Sequence, residues 1–114
     1  MTDQPFTYTT ANGAKEGTVV LTLSGPLILS NIFSLQSDLR TMKPNCLIMD
    51  LTEVPFMDSA GLGVIMNYYV SAESGHRRFF LVNPSERVKA LMEMTKVESV
   101  LKIFPTLEAA TSQA

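Results

Sequence analysis

The sequence predicts one α/β domain with a mixed β-sheet, an N-terminal hairpin, parallel central strands and about four helices. Three observations support this prediction. An Asn12-Gly13 turn separates two segments rich in β-branched residues at the start of the chain. Apolar runs then alternate with segments of helical spacing, the order expected of parallel strands joined by crossover helices. A length of 114 residues suits a single hydrophobic core.

The first part of the predicted domain is the hairpin and a helix. Phe6 to Thr10 and Thr18 to Leu23 are the two strands, and Gly25-Pro26 ends the second. From about Ser30, apolar residues recur at spacings of three and four and predict a helix that ends before Pro44. These residues are Ile32, Leu35, Leu39 and Met42.

The second part begins with Cys46 to Leu51, which is apolar apart from Asp50 and has the pattern of a strand covered on both faces. A helix is predicted to begin near Asp58 and to end at Gly75. Its expected buried stripe consists of Leu62, Ile65, Met66 and Tyr69.

The last part repeats the alternation. Phe79 to Val82 is a buried strand, and Asn83-Pro84-Ser85-Glu86 predicts a helix start with Asn83 as the cap. Leu101 to Phe104 is a short final strand, and Pro105-Thr106 opens the last helix.

Composition and charge exclude several classes of protein. Nine Lys and Arg against eleven Asp and Glu give a net charge of −2, without the basic run that nucleic-acid binding requires. No apolar stretch approaches about 18 residues, and the N-terminal residues lack signal-peptide features. The single Cys46 lies in an apolar run and is expected in the core. We therefore expect one cytoplasmic domain over residues 1–114, frayed at about 1–4 and 112–114, with neither a membrane nor a nucleic-acid partner.

The segment Val54 to Gly63 is the candidate functional segment. Asp58 and Ser59 fall where a strand-to-helix loop ends, and both residue types cap helices through their side-chain oxygens. Gly61 and Gly63 remove side chains from the same turn, which lets another molecule approach the backbone. Because a helix N-terminus attracts anions, this turn can carry a phosphate. Met57, in the same loop, is expected to be exposed.

The residues alone leave Ser59 open as a helix cap, a phosphate acceptor or a nucleophile. A nucleophile needs a base within reach, but the single histidine, His76, lies beyond the far end of the helix, roughly 20 Å away. Asp50 could be a phosphorylated aspartate, although no acidic residues accompany it to hold magnesium, so a structural role is favoured. Gly61-Leu62-Gly63 falls short of a dinucleotide fingerprint, and one Cys and one His predict no metal site. No cofactor is expected.

The candidate segment is similar to a known family. Phe56 to Val64, following Leu47 to Leu51, closely resembles the signature of STAS domains, in particular the anti-sigma factor antagonists of bacteria. The likeness extends to Gly25, to Leu81-Val82-Asn83-Pro84 and to the closing segment Phe104 to Ala110. It implies a STAS-like fold.

The resemblance also implies a partner-switching binding module in transcription regulation, with no catalytic activity of its own. In such antagonists the serine after the aspartate, here Ser59, is phosphorylated by a cognate anti-sigma factor that is a serine kinase. The unmodified form binds the kinase and frees a sigma factor; the phosphorylated form releases the kinase, and a serine phosphatase restores the first state. The expected partner-binding residues are Met57, Asp58, Ser59, Gly61, Leu62 and Gly63, and Asp58 is also expected to orient the hydroxyl.

Two departures from the family pattern bear on this interpretation. Gly25-Pro26-Leu27-Ile28 stands where antagonists often have an acidic or amide residue, and Ala60 replaces a frequent second serine, which leaves one acceptor. Two alternatives remain open. One is a constitutive STAS subunit of a signalling or transporter complex, in which Ser59 only caps a helix. The other is a small ligand-binding or catalytic domain, which requires a pocket lined by convergent polar groups.

Overall fold

A computed structural model describes residues 5–114, so the fraying expected at residues 1–4 lies outside the described part. The strands are β1 (Thr7–Asn12), β2 (Thr18–Ser24), β3 (Cys46–Glu53), β4 (Arg78–Val82) and β5 (Lys102–Phe104). The helices are α1 (Phe33–Leu39), α2 (Ser59–Ser74), α3 (Glu86–Thr95) and α4 (Leu107–Gln113). Short 3-10 turns, Leu29–Asn31 and Val97–Ser99, precede α1 and follow α3.

The five strands form one sheet in the order β1-β2-β3-β4-β5. The hairpin strands β1 and β2 are antiparallel, and β2, β3, β4 and β5 are parallel. The predicted mixed sheet with its N-terminal hairpin is confirmed. Because parallel strands end at the same edge of a sheet, the loops that follow β2, β3 and β4 lie side by side. The candidate segment follows the middle one of these three strands.

Side chains of β3 alternate between two hydrophobic clusters, which confirms that this strand is covered on both faces. Leu47 and Met49 face the larger cluster, which includes buried residues of α1, α2 and α3. Cys46 and Ile48 face the smaller cluster, together with Ala110 of α4. Cys46 is therefore a core residue, as expected, and burial raises the pKa of its thiol.

The start of α3 differs from the prediction. Ser85, not Asn83, caps this helix: its hydroxyl accepts a hydrogen bond of 3.2 Å from the Val88 N–H. Asn83 instead adopts a left-handed conformation with φ of 52°. Asparagine tolerates this conformation, and the following Pro84 disfavours a right-handed helical one.

The buried stripe of α2 also differs in part. Leu62 and Ile65 are buried as predicted, whereas Met66 and Tyr69 are only partly buried. The other buried residues of this helix are Gly61, Val64, Tyr68 and Ala72. The buried face of α2 is thus shifted by about one residue from the face that the sequence predicted.

The last helix, α4, continues to Gln113, into the residues that were expected to fray. Thr106 caps its start by accepting a hydrogen bond from the Ala109 N–H. At its other end, the Lys15 ammonium group donates to the carbonyl oxygens of Ser112 and Ala114, at 3.2 Å each. A lysine at a helix C-terminus stabilises the last turn, since it pairs with carbonyl groups that lack helical partners.

Candidate functional site

The candidate segment is held against the loop that follows β2. Leu27 and Met57 form an isolated parallel bridge between the two loops. The Leu27 N–H donates to the Phe56 carbonyl at 3.1 Å, and the Asp58 N–H donates to the Leu27 carbonyl at 3.3 Å. These bonds continue the β2–β3 pairing past the end of the sheet. The two loops therefore form one unit.

Asp58 joins this unit to the start of α2. Its Oδ1 accepts a hydrogen bond of 2.9 Å from the Gly61 N–H, which confirms the predicted cap. Its Oδ2 accepts a hydrogen bond of 3.0 Å from the N–H of Leu29, which belongs to the segment between β2 and α1. Both carboxylate oxygens are thus bonded to backbone amides. Asp58 thus holds the first turn of α2, which contains Ser59, against the β2–α1 loop.

Ser59 is the first residue of α2, and its side chain is exposed. Asp58 supplies the capping oxygen, so the hydroxyl of Ser59 is not used for that purpose. No side-chain hydrogen bond between residues 5 and 114 involves this hydroxyl. The first turn of α2 also contains no acidic residue. Ser59 therefore stands free at the positive end of a 16-residue helix.

The structure divides the six residues predicted to bind a partner. Ser59 and Gly63 are exposed and Asp58 is partly buried, whereas Met57, Gly61 and Leu62 are buried. The predicted exposure of Met57 is wrong: 8% of the residue is accessible, because its pairing with Leu27 draws it into the core. Met57 and Leu62 support the loop from beneath.

The two glycines of the first turns have different roles. A Cβ atom on Gly61 would lie 2.2 Å from the Leu27 carbonyl oxygen, so this glycine is required by the close contact of α2 with the β2–α1 loop. A Cβ atom on Gly63 would meet nothing within 4 Å. Gly61 is thus explained by the chain's own packing. Only Gly63 leaves the backbone open to another molecule.

The segment that departs from the family pattern is largely internal. Gly25 has φ of 104° and, with Pro26 and Leu27, is buried, while Ile28 is partly buried. The exposed residues follow: 59% of Leu29 and 65% of Phe33 are accessible. Neither residue was predicted from the sequence to belong to the site. The signal in the sequence was the absence of any charged residue from position 25 to position 37.

The beginning of α3 supports the candidate segment from the other side. The Ser85 hydroxyl donates to the Pro55 carbonyl at 3.1 Å, and the Arg87 guanidinium lies 4.6 Å from the centre of the Phe56 ring. The Asn83 side-chain amide donates to Thr52 Oγ1 at 3.3 Å. Residues from β3 to Asp58 are therefore fixed between two neighbouring loops.

The remaining candidate residues lie apart from Ser59 or have partners of their own. His76 is exposed beyond the C-terminal end of α2. The Asp50 carboxylate accepts hydrogen bonds from the Thr52 N–H and hydroxyl, at 3.0 and 2.6 Å, in keeping with the structural role favoured for it. Within residues 5–114, no three His, Cys, Asp or Glu side chains come together as metal ligands do. In the same residues, no helix combines the length and the apolar character needed to cross a membrane.

A cleft of about 250 Å³ lies between α1 and α2. Its polar groups are already engaged in part, since the Tyr68 hydroxyl donates to the Met42 carbonyl and Ser71 accepts a hydrogen bond from Arg77. Ser59 does not line this cleft, which is bordered by Gln36, Leu39, Arg40, Val64, Asn67, Tyr68 and Ser71.

Comparison with known proteins gives consistent matches. The sequence profile described as the STAS domain matches residues 10–110. A Thermotoga neapolitana protein, named as a homolog of a proposed anti-sigma factor antagonist, is 35% identical over 69 residues, which are 60% of this chain and 61% of that protein. The anti-sigma F factor antagonist of Paenibacillus polymyxa is 30% identical over 94 residues, which are 77% of this chain and 79% of that protein.

A solved structure shares the fold. The Bacillus cell fate determinant SpoIIAA, in its phosphorylated form, aligns with a TM-score of 0.74 and 20% identity. The alignment covers 95% of this chain and all of that one, at 100%. The same sheet and helices thus occur in a protein that has been solved with a phosphate attached.

Proposed function

The chain belongs to the STAS domain family, and from this membership we propose that it is an anti-sigma factor antagonist switched by phosphorylation of Ser59. In this proposal the unmodified protein binds an anti-sigma factor that is a serine kinase, and the phosphorylated protein releases it. A serine phosphatase reverses the modification. The observation that carries the proposal is an exposed serine with an unused hydroxyl at the start of α2.

The position of Ser59 suits a residue that gains charge. A phosphoserine carries about −1.5 to −2 charges at neutral pH. At the first position of a helix, this charge lies beside backbone N–H groups without helical partners and at the positive end of the helix dipole. The Gly61 N–H already donates to Asp58, whereas the N–H groups of Ser59 and Ala60 remain available to bind the phosphate. The domain can therefore carry the phosphate without unfolding.

The same charge changes what a partner meets at this surface. A partner that packs against the unmodified turn would have to desolvate the phosphate or place it beside uncharged groups. A cost of about 3 kcal/mol corresponds to more than a hundredfold in affinity. Asp58 contributes by holding the turn rigid through its bonds to Gly61 and Leu29, so the charge appears at a fixed position.

The proposal is tested by phosphorylation in vitro. The protein is incubated with ATP, magnesium and each purified serine-kinase anti-sigma factor of the source organism, and the modified residue is mapped by mass spectrometry. We expect one phosphoryl group on Ser59 and none on Ser59→Ala. Ser74→Ala, which removes an exposed serine hydroxyl at the other end of α2, is the matched control and should be modified like the wild type.

Two results would contradict the proposal. One is equal phosphorylation of the wild type and Ser59→Ala. The other is stable kinase binding that Ser59→Asp leaves unchanged, which would favour a constitutive STAS subunit in which Ser59 has no regulatory role.

A further inference from the structure

Two segments next to Ser59 contain no charged residue. One runs from Gly25 to Ser37 and comprises the β2–α1 loop and most of α1. The other runs from Ser59 to Ala72 and comprises most of α2. Asp58 lies between them, and both of its carboxylate oxygens accept hydrogen bonds from backbone amides. Both segments are thus uncharged in a chain where 18% of residues are charged.

These two uncharged segments contain three of the exposed large apolar side chains of the described residues, Leu29, Phe33 and Val70, of which Val70 lies eleven residues along α2 from Ser59. Leu29 and Phe33 are 59% and 65% accessible. Leu29 is the first residue of the 3-10 turn that precedes α1, and Phe33 is the first residue of α1 itself, so both lie at the start of this helical region.

Leu29 is hydrogen-bonded to Asp58, the residue that precedes Ser59. Its N–H donates to Asp58 Oδ2 at 3.0 Å, and Asp58 is bonded covalently to Ser59. The same carboxylate caps α2 through Gly61. The Asp58 carboxylate therefore holds the backbone of Leu29 next to the start of α2, where Ser59 lies.

We infer that Leu29 and Phe33 are the apolar anchors by which the unmodified protein binds its anti-sigma factor, and that the matching surface of that partner is apolar and uncharged. This inference rests on the proposed function and adds the chemistry of the contact. An interface draws most of its binding energy from a few side chains that become fully buried in well-packed pockets of the partner. In a neutral interface, a phosphate on Ser59 would introduce charge without an opposing cation on this chain's two neutral segments.

The test compares the double variant Leu29→Ser, Phe33→Ser with the matched double variant Met94→Ser, Val100→Ser. The control residues are also apolar and exposed, at 77% and 44%, but they belong to α3 and to the segment before β5. Binding to the purified anti-sigma factor that phosphorylates Ser59 is measured by calorimetry with ADP present. We expect the first double variant to weaken binding at least about tenfold and the control to change it by less than about twofold.

Salt dependence gives a second measurement. For a neutral contact, the dissociation constant of the wild type should change by less than roughly threefold between about 0.05 M and 0.5 M salt. A steep loss of affinity with salt would overturn the inference, because it would indicate charge pairing.

The outcomes separate this inference from the proposed function. One outcome is that the wild type binds and is phosphorylated at Ser59, but the Leu29, Phe33 double variant binds equally well. The assignment of Leu29 and Phe33 as anchors is then wrong, while the proposed switch at Ser59 still stands. If the wild type is neither bound nor phosphorylated, the proposed function itself fails. If sedimentation shows a dimer that this variant alone dissociates, the surface binds a second copy of the chain and the inference is overturned.

Discussion

The helices α2 and α3 begin in the same way but use their residues in the opposite order. Both follow a parallel strand, and both are capped by a side chain that accepts from the third helical N–H. In α2 the acid, Asp58, is the cap and the hydroxyl of Ser59 comes next. In α3 the hydroxyl of Ser85 is the cap and the acid, Glu86, comes next.

This reversal shows how a structural turn differs from one that can be regulated. In α3 the charge that suits a helix N-terminus is permanent, and Glu86 pairs with Lys89 at 3.7 Å on the exposed surface. In α2 the equivalent position holds a neutral, exposed serine. Phosphorylation of Ser59 would give α2 the charge that α3 always carries. The third helical positions differ too, since α2 has Gly61 where α3 has the buried Val88.

The largest effect on stability is expected at the third position of α2, where Gly61 stands in place of the valine of α3. Gly61→Ala should lower the free energy of unfolding by about 3 kcal/mol, because its Cβ would collide with the Leu27 carbonyl oxygen. Gly63→Ala, the control, should raise it by about 0.5 to 1 kcal/mol, because alanine favours a helix and this site is open. Urea denaturation measures both. Equal effects of the two substitutions would show that Gly61 is not held against Leu27.

The two caps should differ by a smaller amount. Asp58→Ala removes the bonds to Gly61 and Leu29 and should destabilise the domain by about 2 kcal/mol. Ser85→Ala removes the single cap bond to Val88 and the bond to Pro55, and should cost about 1 kcal/mol. Thermal and urea unfolding measure both changes. If Asp58→Ala were no worse than Ser85→Ala, its bond to Leu29 would not stabilise the two-loop unit.

The smallest effect on stability is expected when the residues at the first helical positions, Ser59 and Glu86, are exchanged. Ser59→Glu gives α2 the acid of α3 and should raise the free energy of unfolding by about 0.5 kcal/mol, while Glu86→Ser should lower it by a similar amount. Urea denaturation at low salt resolves the two signs. A strong destabilisation by Ser59→Glu would mean that this turn does not accept negative charge, and the phosphorylation proposal would lose its physical basis.

The elements that could be predicted from the sequence are those with strong local signals. The hairpin, the alternation of strands and helices and the Asp58 cap follow from turn residues, apolar spacing and capping chemistry. The exposed position of Met57 was predicted wrongly because its burial depends on pairing with Leu27, thirty residues earlier in the chain. The cap of α3 was misassigned for a similar reason: Asn83 is held by the Phe104 carbonyl and by Thr52, both distant in sequence.

The same limit applies to the candidate site. The local context left Ser59 open as a cap, a phosphate acceptor or a nucleophile, and the family resemblance selected the phosphate acceptor. The exposure of Ser59 is compatible with that role. The roles of the two glycines could not be separated, because only the structure shows that Leu27 lies against Gly61 and that nothing lies against Gly63. Leu29 and Phe33 were missed because neither belongs to the predicted apolar stripe of α1, and single apolar residues outside the core are common on protein surfaces.

The most direct test of the account is the affinity of the purified anti-sigma factor for two forms of this protein, unmodified and phosphorylated at Ser59. Circular dichroism first establishes that both forms are folded alike. We expect phosphorylation to weaken binding by a factor of about a hundred or more while leaving the fold intact. Equal affinities for the two folded forms would contradict it.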